Sequence, residues 1–322
     1  MINMKPDRVM HALRLQERGG PEKLVYEEAP TPFVGIGDVL LRVHAASFTP
    51  TELTWPSTWV DRRGNDRRPV IPAHEVSGIV AALGDGTTGA SVGEAVYGLT
   101  DWYRDGAAAE YVAVEARNLA PKPTSLSHVE AAAIPMAGLT AWQALFDHGH
   151  LQAGQTVLIH GAGGGVGTVA VQLAHEAGAR VVATGHAPSR QLVTDLGADA
   201  FIDVDRERFD EAVAGVDLVF DLVGGEVLQR SWSVVKPSGV IVSVVETLQP
   251  ETNARADVSG IYFVVEPDRE ELVELARRIE AGALRPIIGE VLPLAQGREA
   301  FQAKRGHGVP GKIVLEVTDD PA

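Results

Sequence analysis

The sequence predicts an α/β chain made of a doubly wound parallel sheet and a separate β-rich domain. Two patterns predict it. Between residues 157 and 265, near-continuous apolar runs alternate with amphipathic helical stretches, as strands covered by helices on both faces require. Before about residue 122 the runs are shorter, β-branched and punctuated by Gly and Pro, the signature of antiparallel strands joined by turns. A length of 322 residues suits two domains at about 150 residues each.

In the N-terminal part the strands are expected at 39–43, 78–82, 95–97 and 110–114. Pro121-Lys122-Pro123 then breaks the pattern. A helix follows over 127–133, with Ser127 and Glu130 at capping-box spacing. The parallel strands are expected at 157–160, 181–184, 200–202, 218–221 and 240–244. Between the first two, Val166, Val169, Ala170, Leu173, Ala174 and Ala177 recur every three or four residues and give a helix one apolar stripe. A further strand is expected at 261–265. The next helix is marked at its start by Pro267, Asp268 and Glu271, with Leu272, Leu275, Ala276 and Ile279 on its buried face. The tail, 311–317, reads as a last strand returning to the first domain. The expected division is therefore a β-rich domain over 1–126, completed by 267–322, and a nucleotide domain over 127–266.

With 28 Lys+Arg against 43 Asp+Glu the net charge is −15, which argues against nucleic acid or an anionic membrane as the main partner. The chain has no cysteine, so disulfides, thiolate zinc sites, iron–sulfur clusters and Cys nucleophiles are excluded together. Residues 1–14 mix charged and apolar side chains, unlike a signal peptide. No run approaches the roughly 18–20 apolar residues of a membrane span. The expected compartment is the cytoplasm.

The strongest local motif is His160-Gly161-Ala162-Gly163-Gly164-Gly165-Val166-Gly167, between a strand and a helix. Taken as Ala162-x-Gly164-x-x-Gly167, it is a Rossmann fingerprint with Ala first. Gly164 lets a pyrophosphate approach the backbone, Gly167 lets the helix pack on the strand, and Gly165 and Val166 supply free N–H groups at the helix start. An NAD site would carry an acid about 20 residues further on. Nineteen residues past Gly167 lies His186, followed by Ala187-Pro188-Ser189-Arg190, with no carboxylate. His186, Ser189 and Arg190 suit a ribose 2′-phosphate, so the expected cofactor is NADPH. The bland alternatives are a purely structural Gly-rich turn, a solvated Arg190 and an incidental His186.

Three more stretches accompany this motif in order along the chain: Pro72-Ala73-His74-Glu75-Val76-Ser77-Gly78, Ile134-Pro135-Met136-Ala137-Gly138-Leu139-Thr140-Ala141-Trp142, and Asp217-Leu218-Val219-Phe220-Asp221-Leu222-Val223-Gly224-Gly225. Together the four resemble the medium-chain dehydrogenase/reductase superfamily, in its zinc-independent quinone oxidoreductase-like branch. The resemblance implies a GroES-like catalytic domain completed by the C-terminal tail, an inserted Rossmann domain, and a cleft where nicotinamide meets substrate. Zinc-dependent relatives use Cys at the segments matching Ser47-Phe48-Thr49 and Met136-Ala137-Gly138, plus a His at His74. Only His74 is present here, so no metal is expected, and His74 and Glu75 are expected to order the strand that follows them.

Without a Lewis acid, the chemistry the resemblance implies is hydride transfer to a conjugated acceptor, a quinone or an α,β-unsaturated carbonyl compound, whose charge spreads into an enolate or hydroquinone. Tyr103 is a candidate proton donor, with solvent as the alternative. Trp55, Trp59 and Trp102 are candidates for a substrate wall, against the commoner role of tryptophans in core or domain packing. Relatives usually have Asn-Pro-x-Asp facing the nicotinamide; here the segment is Thr49-Pro50-Thr51-Glu52, so Thr49 and Glu52 are candidate substrate contacts. The resemblance places Thr140 near the nicotinamide ribose, Val223 and Gly224 near the ribose, and Phe263 and Val265 in a backbone edge near the carboxamide. His148 and His150 read as surface loop residues. A homodimer is expected. The rival readings are a zinc-type alcohol dehydrogenase and a non-catalytic NADPH-binding sensor or scaffold.

Overall fold

The computed structural model describes residues 9–248, 255–303 and 310–318, so the part of the leading 1–14 stretch before Val9 lies outside the described residues. The chain divides into two compact units. The first comprises Met1–Met136, Pro267–Glu280 and Ile288–Ala322, and the second Ala137–Glu266 and Ala281–Ile287.

The first unit begins with a hairpin of β1 (Val9–Leu15) and β2 (Leu24–Pro30). It continues through β3 (Asp38–Ser47), β4 (Glu75–Leu83), β5 (Ala95–Leu99), β6 (Tyr111–Glu115) and β7 (Leu119–Pro121). β3 is buried along almost its whole length because it pairs antiparallel with both β4 and β6, and its inward residues Leu41 and Val43 enter the main core with Val76, Val80 and Val112. The helix His128–Ala132 carries the capping box expected of Ser127 and Glu130. This helix belongs to the first unit, not to the nucleotide domain as expected, because Ala132 and Ala133 pack with Ala45 of β3 and Val314 near the chain end.

The second unit holds β8 (Thr156–Ile159), β9 (Arg180–Gly185), β10 (Ala200–Asp203), β11 (Val216–Asp221), β12 (Val235–Ser243) and β13 (Ser259–Tyr262). All six run parallel in the order β10-β9-β8-β11-β12-β13. The order reverses between β8 and β11, and in open α/β sheets ligands bind at such a switch point, outside the carboxyl ends of the strands. The helix Gly165–Glu176 buries Val169, Ala170, Leu173 and Ala174 as the stripe predicted, while Val166 and Ala177 are half-buried. The expected strand at 261–265 is displaced: β13 ends at Tyr262 because its partner β12 ends opposite it at Ser243, leaving Phe263–Val265 without a ladder.

The last strands, β14 (Ile288–Pro293) and β15 (Lys312–Glu316), return to the first unit, where Val314 of β15 lies opposite Ser47 of β3. The helix Arg269–Glu280 buries Leu272, Leu275 and Ile279, with Ala276 half-buried. Among the described residues no helix is long and apolar enough to cross a membrane.

Candidate active site

In the second unit, β8 leads into a turn that ends where Gly164 caps the helix Gly165–Glu176. Each glycine has a different job. Gly161 takes φ +71°, a conformation side chains disfavour. A Cβ on Gly167 would lie 2.4 Å from the carbonyl oxygen of Gly161, so only glycine lets helix and turn approach this closely. A Cβ on Gly164 would meet only that same oxygen, at 3.3 Å, and otherwise projects into space. No acidic side chain occupies the first helical turn, so the helix itself supplies no counter-charge to the amide groups of Gly165 and Val166 at its positive end. An open glycine flank and uncompensated amides fit a pyrophosphate.

His160 anchors the turn from below. Its Nδ1 lies 3.0 Å from Thr184 Oγ1 and its Nε2 3.0 Å from Ser231 Oγ, tying β8 to β9 and to the helix Gly225–Ser231. Burial pushes the imidazole pKa down to about 3, so the ring is neutral. Its structural role had no signal beyond its place at the end of an apolar run.

The turn also gathers the other expected nucleotide contacts. Gly163 abuts Ser189, to whose Cβ its own would lie 2.5 Å, and Gly161 lies against Val223, at 3.3 Å by the same measure. At the end of the sheet expected to face the adenosine, His186 follows β9, and the Ser189 hydroxyl donates to the His186 carbonyl at 2.9 Å. Arg190 lies with its guanidinium over the Phe201 ring at 4.8 Å and donates through Nη1 to the Phe201 carbonyl at 3.0 Å. Two carboxylates absent from the sequence reading complete this corner: Asp205 bonds His186 Nδ1 at 2.9 Å, and Glu207 stands 3.5 Å from Arg190 Nη2. The acid-rich run after β10 was their only signal.

Further along the sheet, the Val223 and Gly224 amides both donate to the buried Asp221 carboxylate, which also accepts the Ser243 hydroxyl at 2.8 Å. Gly224 takes φ +76°, and Val223 is left about half exposed. Phe263 and Val265 are buried, and Val264 between them is exposed. This segment is held by Gln143, whose side chain donates to the Glu266 carbonyl at 2.9 Å and accepts the Glu266 amide at 3.1 Å. His148 is half-buried against Phe263, ring centroids 4.5 Å apart, so it packs where a surface position was expected; His150 is exposed. Thr140 is buried in the helix Pro135–Trp142.

The first unit holds the residues expected at the substrate. Glu52 lies inside the fold at 1% exposure, its carboxylate accepting the Thr49 amide at 3.0 Å and the Ala73 amide at 2.5 Å. Burial pushes its pKa up to about 7, against the two amide bonds and the Lys312 charge, which pull it down. Glu52 thereby holds Ala73, at φ +70°, in a conformation unusual for a side-chain-bearing residue, and so sets the direction of His74. His74 is neutral, its pKa pushed down to about 3 by burial, with Nδ1 2.6 Å from Thr100 Oγ1 and its ring edge-on to Trp102 at 5.2 Å. Trp102 in turn meets Trp55 edge-to-face at 5.8 Å, so these two tryptophans and His74 form one aromatic group. Arg67 binds it from behind, donating to the carbonyls of Ser57, Thr58 and Trp102. Tyr103 is half-buried under the Arg62 guanidinium, 4.9 Å from its ring centroid, while Arg62 also pairs with Asp101. Trp59 is separate: it is 5% exposed, and its indole N–H bonds the Leu53 carbonyl, which makes it a core residue.

This donor set does not fit zinc. The chain has no cysteine, and among the described residues no group of three or more His, Asp or Glu side chains is placed to hold a metal ion. Glu75, beside His74, accepts the Met136 amide and the Lys312 ammonium.

A family model described as an alcohol dehydrogenase GroES-like domain matches residues 35–124, and one described as a zinc-binding dehydrogenase matches 196–315. The chain is 32% identical to a 2-methylene-furan-3-one reductase of Solanum lycopersicum, over 88% of this chain and 73% of that one. It is 29% identical to a chloroplastic NADPH-dependent alkenal/one oxidoreductase of Arabidopsis thaliana, over 95% and 79%. The solved structure of the quinone oxidoreductase from Coxiella burnetii superposes with a TM-score of 0.89 at 31% identity, covering 96% of this chain and 99% of that one.

Proposed function

The chain belongs to the medium-chain dehydrogenase/reductase superfamily, in its zinc-independent quinone oxidoreductase-like branch, and on that premise we propose that it reduces quinones or α,β-unsaturated carbonyl compounds with NADPH and without a catalytic metal. One observation carries the reading. A Gly-rich turn opening a helix stands at the switch point of a parallel sheet, while the position that would ligate zinc, His74, is packed between Thr100 and Trp102.

The reduced nicotinamide, when bound, supplies a hydride to the β-carbon of the enone or to the quinone. The chain's own part is to hold both reactants and to provide a proton for the enolate or hydroquinone oxygen. Gly164, Gly165, Val166 and Gly167 bind the pyrophosphate. Val223, Gly224 and Thr140 border the ribose, and the Phe263–Val265 backbone, clamped by Gln143, orients the carboxamide. Trp55 and Trp102 offer aromatic faces to a planar acceptor, Thr49 lines the same site, and Glu52 acts from within by fixing the Thr49 and Ala73 amides. The proton comes from Tyr103 or from solvent, which Tyr103→Phe distinguishes by losing or keeping turnover.

His186, Ser189 and Arg190 support NADPH over NADH, since a guanidinium and an imidazole suit a 2′-phosphate better than a hydroxyl. β13, which among the described residues has a neighbour strand on one side only, supports a homodimer formed along that edge. The compartment consistent with the sequence is the cytoplasm.

The test is NADPH and NADH oxidation against a panel of quinones and conjugated enones, with a chelator-treated sample alongside. Chelator-insensitive turnover favouring NADPH is expected. Loss of turnover on chelation would restore the zinc-type reading, and nucleotide binding without turnover would favour a sensor.

A further inference from the structure

The corner expected to receive the 2′-phosphate already contains two anions. Both donors suited to that phosphate are engaged by the loop after β10: His186 Nδ1 by Asp205 at 2.9 Å and Arg190 Nη2 by Glu207 at 3.5 Å. Arg190 is otherwise fixed, with Nη1 on the Phe201 carbonyl and its guanidinium over the Phe201 ring, so its head cannot swing away from Glu207 without giving up both. Glu207 is itself steadied by the Asp203 amide, at 3.3 Å. The Ser189 hydroxyl is turned inward onto the His186 carbonyl. All four side chains are roughly half exposed, within reach of a ligand as well as of each other.

We infer that Asp205 and Glu207 are specificity-determining residues that moderate the preference for a phosphorylated nucleotide. The two carboxylates occupy the positions a 2′-phosphate would take on His186 and Arg190. NADPH must displace them and then tolerate two nearby like charges. NADH, with a hydroxyl in place of the phosphate, meets neither cost. The chain therefore accepts NADH more readily than its basic corner alone implies, and the acids set the ratio. This inference rests on the placement of the adenosine ribose at His186, Ser189 and Arg190.

The test measures dissociation constants of NADPH and NADH on the full chain by isothermal titration, for the wild type, Asp205→Asn, Glu207→Gln, the double variant and Arg190→Ala. The isosteric replacements keep hydrogen-bonding atoms at exposed positions. Each acid variant is expected to raise the Kd ratio of NADH to NADPH about two- to fivefold, the span of an exposed ion pair, and the double variant more. A general loosening of the loop would weaken both nucleotides alike and leave the ratio unchanged, which would overturn the inference, as would a fall in the ratio. Arg190→Ala isolates the premise. If it lowers the ratio while the acid variants leave it alone, the 2′-phosphate placement stands and only the role of the acids fails. If it too leaves the ratio alone, the placement fails with it.

Discussion

Lys312 and Glu75, 237 positions apart in the chain, form an ion pair in the core of the first unit, with side-chain exposures of 8% and 0%. The ammonium also donates to the Phe48 carbonyl at 3.0 Å, and the other Glu75 oxygen accepts the Met136 amide at 3.0 Å. The returning strand β15, the start of β4 and the helix Pro135–Trp142 thus share one buried charge pair. Lys312→Met leaves Glu75 buried without its cation and is expected to cost about 3–5 kcal/mol in urea unfolding. Adding Glu75→Gln removes the stranded charge while keeping an acceptor for Met136, so the double variant should recover part of that loss. A double variant no more stable than the single one would show that the charge is not what the lysine offsets.

Three buried groups contribute to the pH dependence of stability in known directions. His74 and His160 are held near pKa 3 in the fold against about 6.5 unfolded, so each contributes stability present above pH 6.5 and lost as pH falls. Glu52 is raised to about 7 from 4.5, so its contribution is full below pH 4.5 and lost as pH rises through 7. Between pH 5 and 6 the unfolded chain takes up two protons on the histidines and the folded chain holds one on Glu52. The net is one proton, and stability from these groups rises by about 1.4 kcal/mol per pH unit. His160→Gln should flatten that slope and Glu52→Gln should roughly double it. Denaturant midpoints across this range check both, whatever the variants do to absolute stability.

Gly164 and Gly167 should fail in different ways. A side chain at Gly164 meets only the Gly161 carbonyl oxygen, at 3.3 Å, and would stand where the proposed pyrophosphate approaches, so Gly164→Val is expected to abolish NADPH and NADH binding with a far smaller loss of Tm than Gly167→Ala. Gly167→Ala forces a methyl to within 2.4 Å of a backbone oxygen and should destabilise the protein by about 1–3 kcal/mol. Calorimetry and nucleotide titration on both variants separate the effects, and a Gly164→Val protein that binds normally would show the turn to be purely structural.

Arg67 fastens the loop carrying Trp102 to the segment after Trp55 through three carbonyl bonds. Those bonds all come from Nη1, while Nη2 reaches Asp105 Oδ1 at 3.4 Å, and a lysine ammonium cannot serve both arms of that planar fork at once. Arg67→Lys is therefore expected to lower kcat/KM for a naphthoquinone about tenfold while leaving the NADPH dissociation constant within about twofold, the first figure corresponding to about 1.4 kcal/mol. A parallel loss of NADPH affinity would mean the arginine supports the fold as a whole.

The β1–β2 hairpin and β14 went unseen in the sequence because their strands mix polar and apolar residues and expose much of their surface, as the alternation in Val9–Leu15 and the half-exposed run of Ile288–Pro293 illustrate. The strands β8 to β12 were legible because burial on both faces leaves little choice but continuous apolar runs. The Gly-rich turn was legible for a related reason: tight turn, close approach and helix start are all local demands on consecutive residues. By itself, then, the sequence determined the doubly wound sheet, the Gly-rich turn between its first strand and helix, and the absence of a thiolate metal site. Tertiary structure alone decided which side chains answer one another: Lys312 with Glu75, Gln143 with Glu266, Glu52 with the Ala73 amide, Asp205 with His186, and Glu207 with Arg190. Such pairs join residues far apart in the chain, and a charge's partner is set by the distance and burial the fold imposes, which no local pattern of residues encodes.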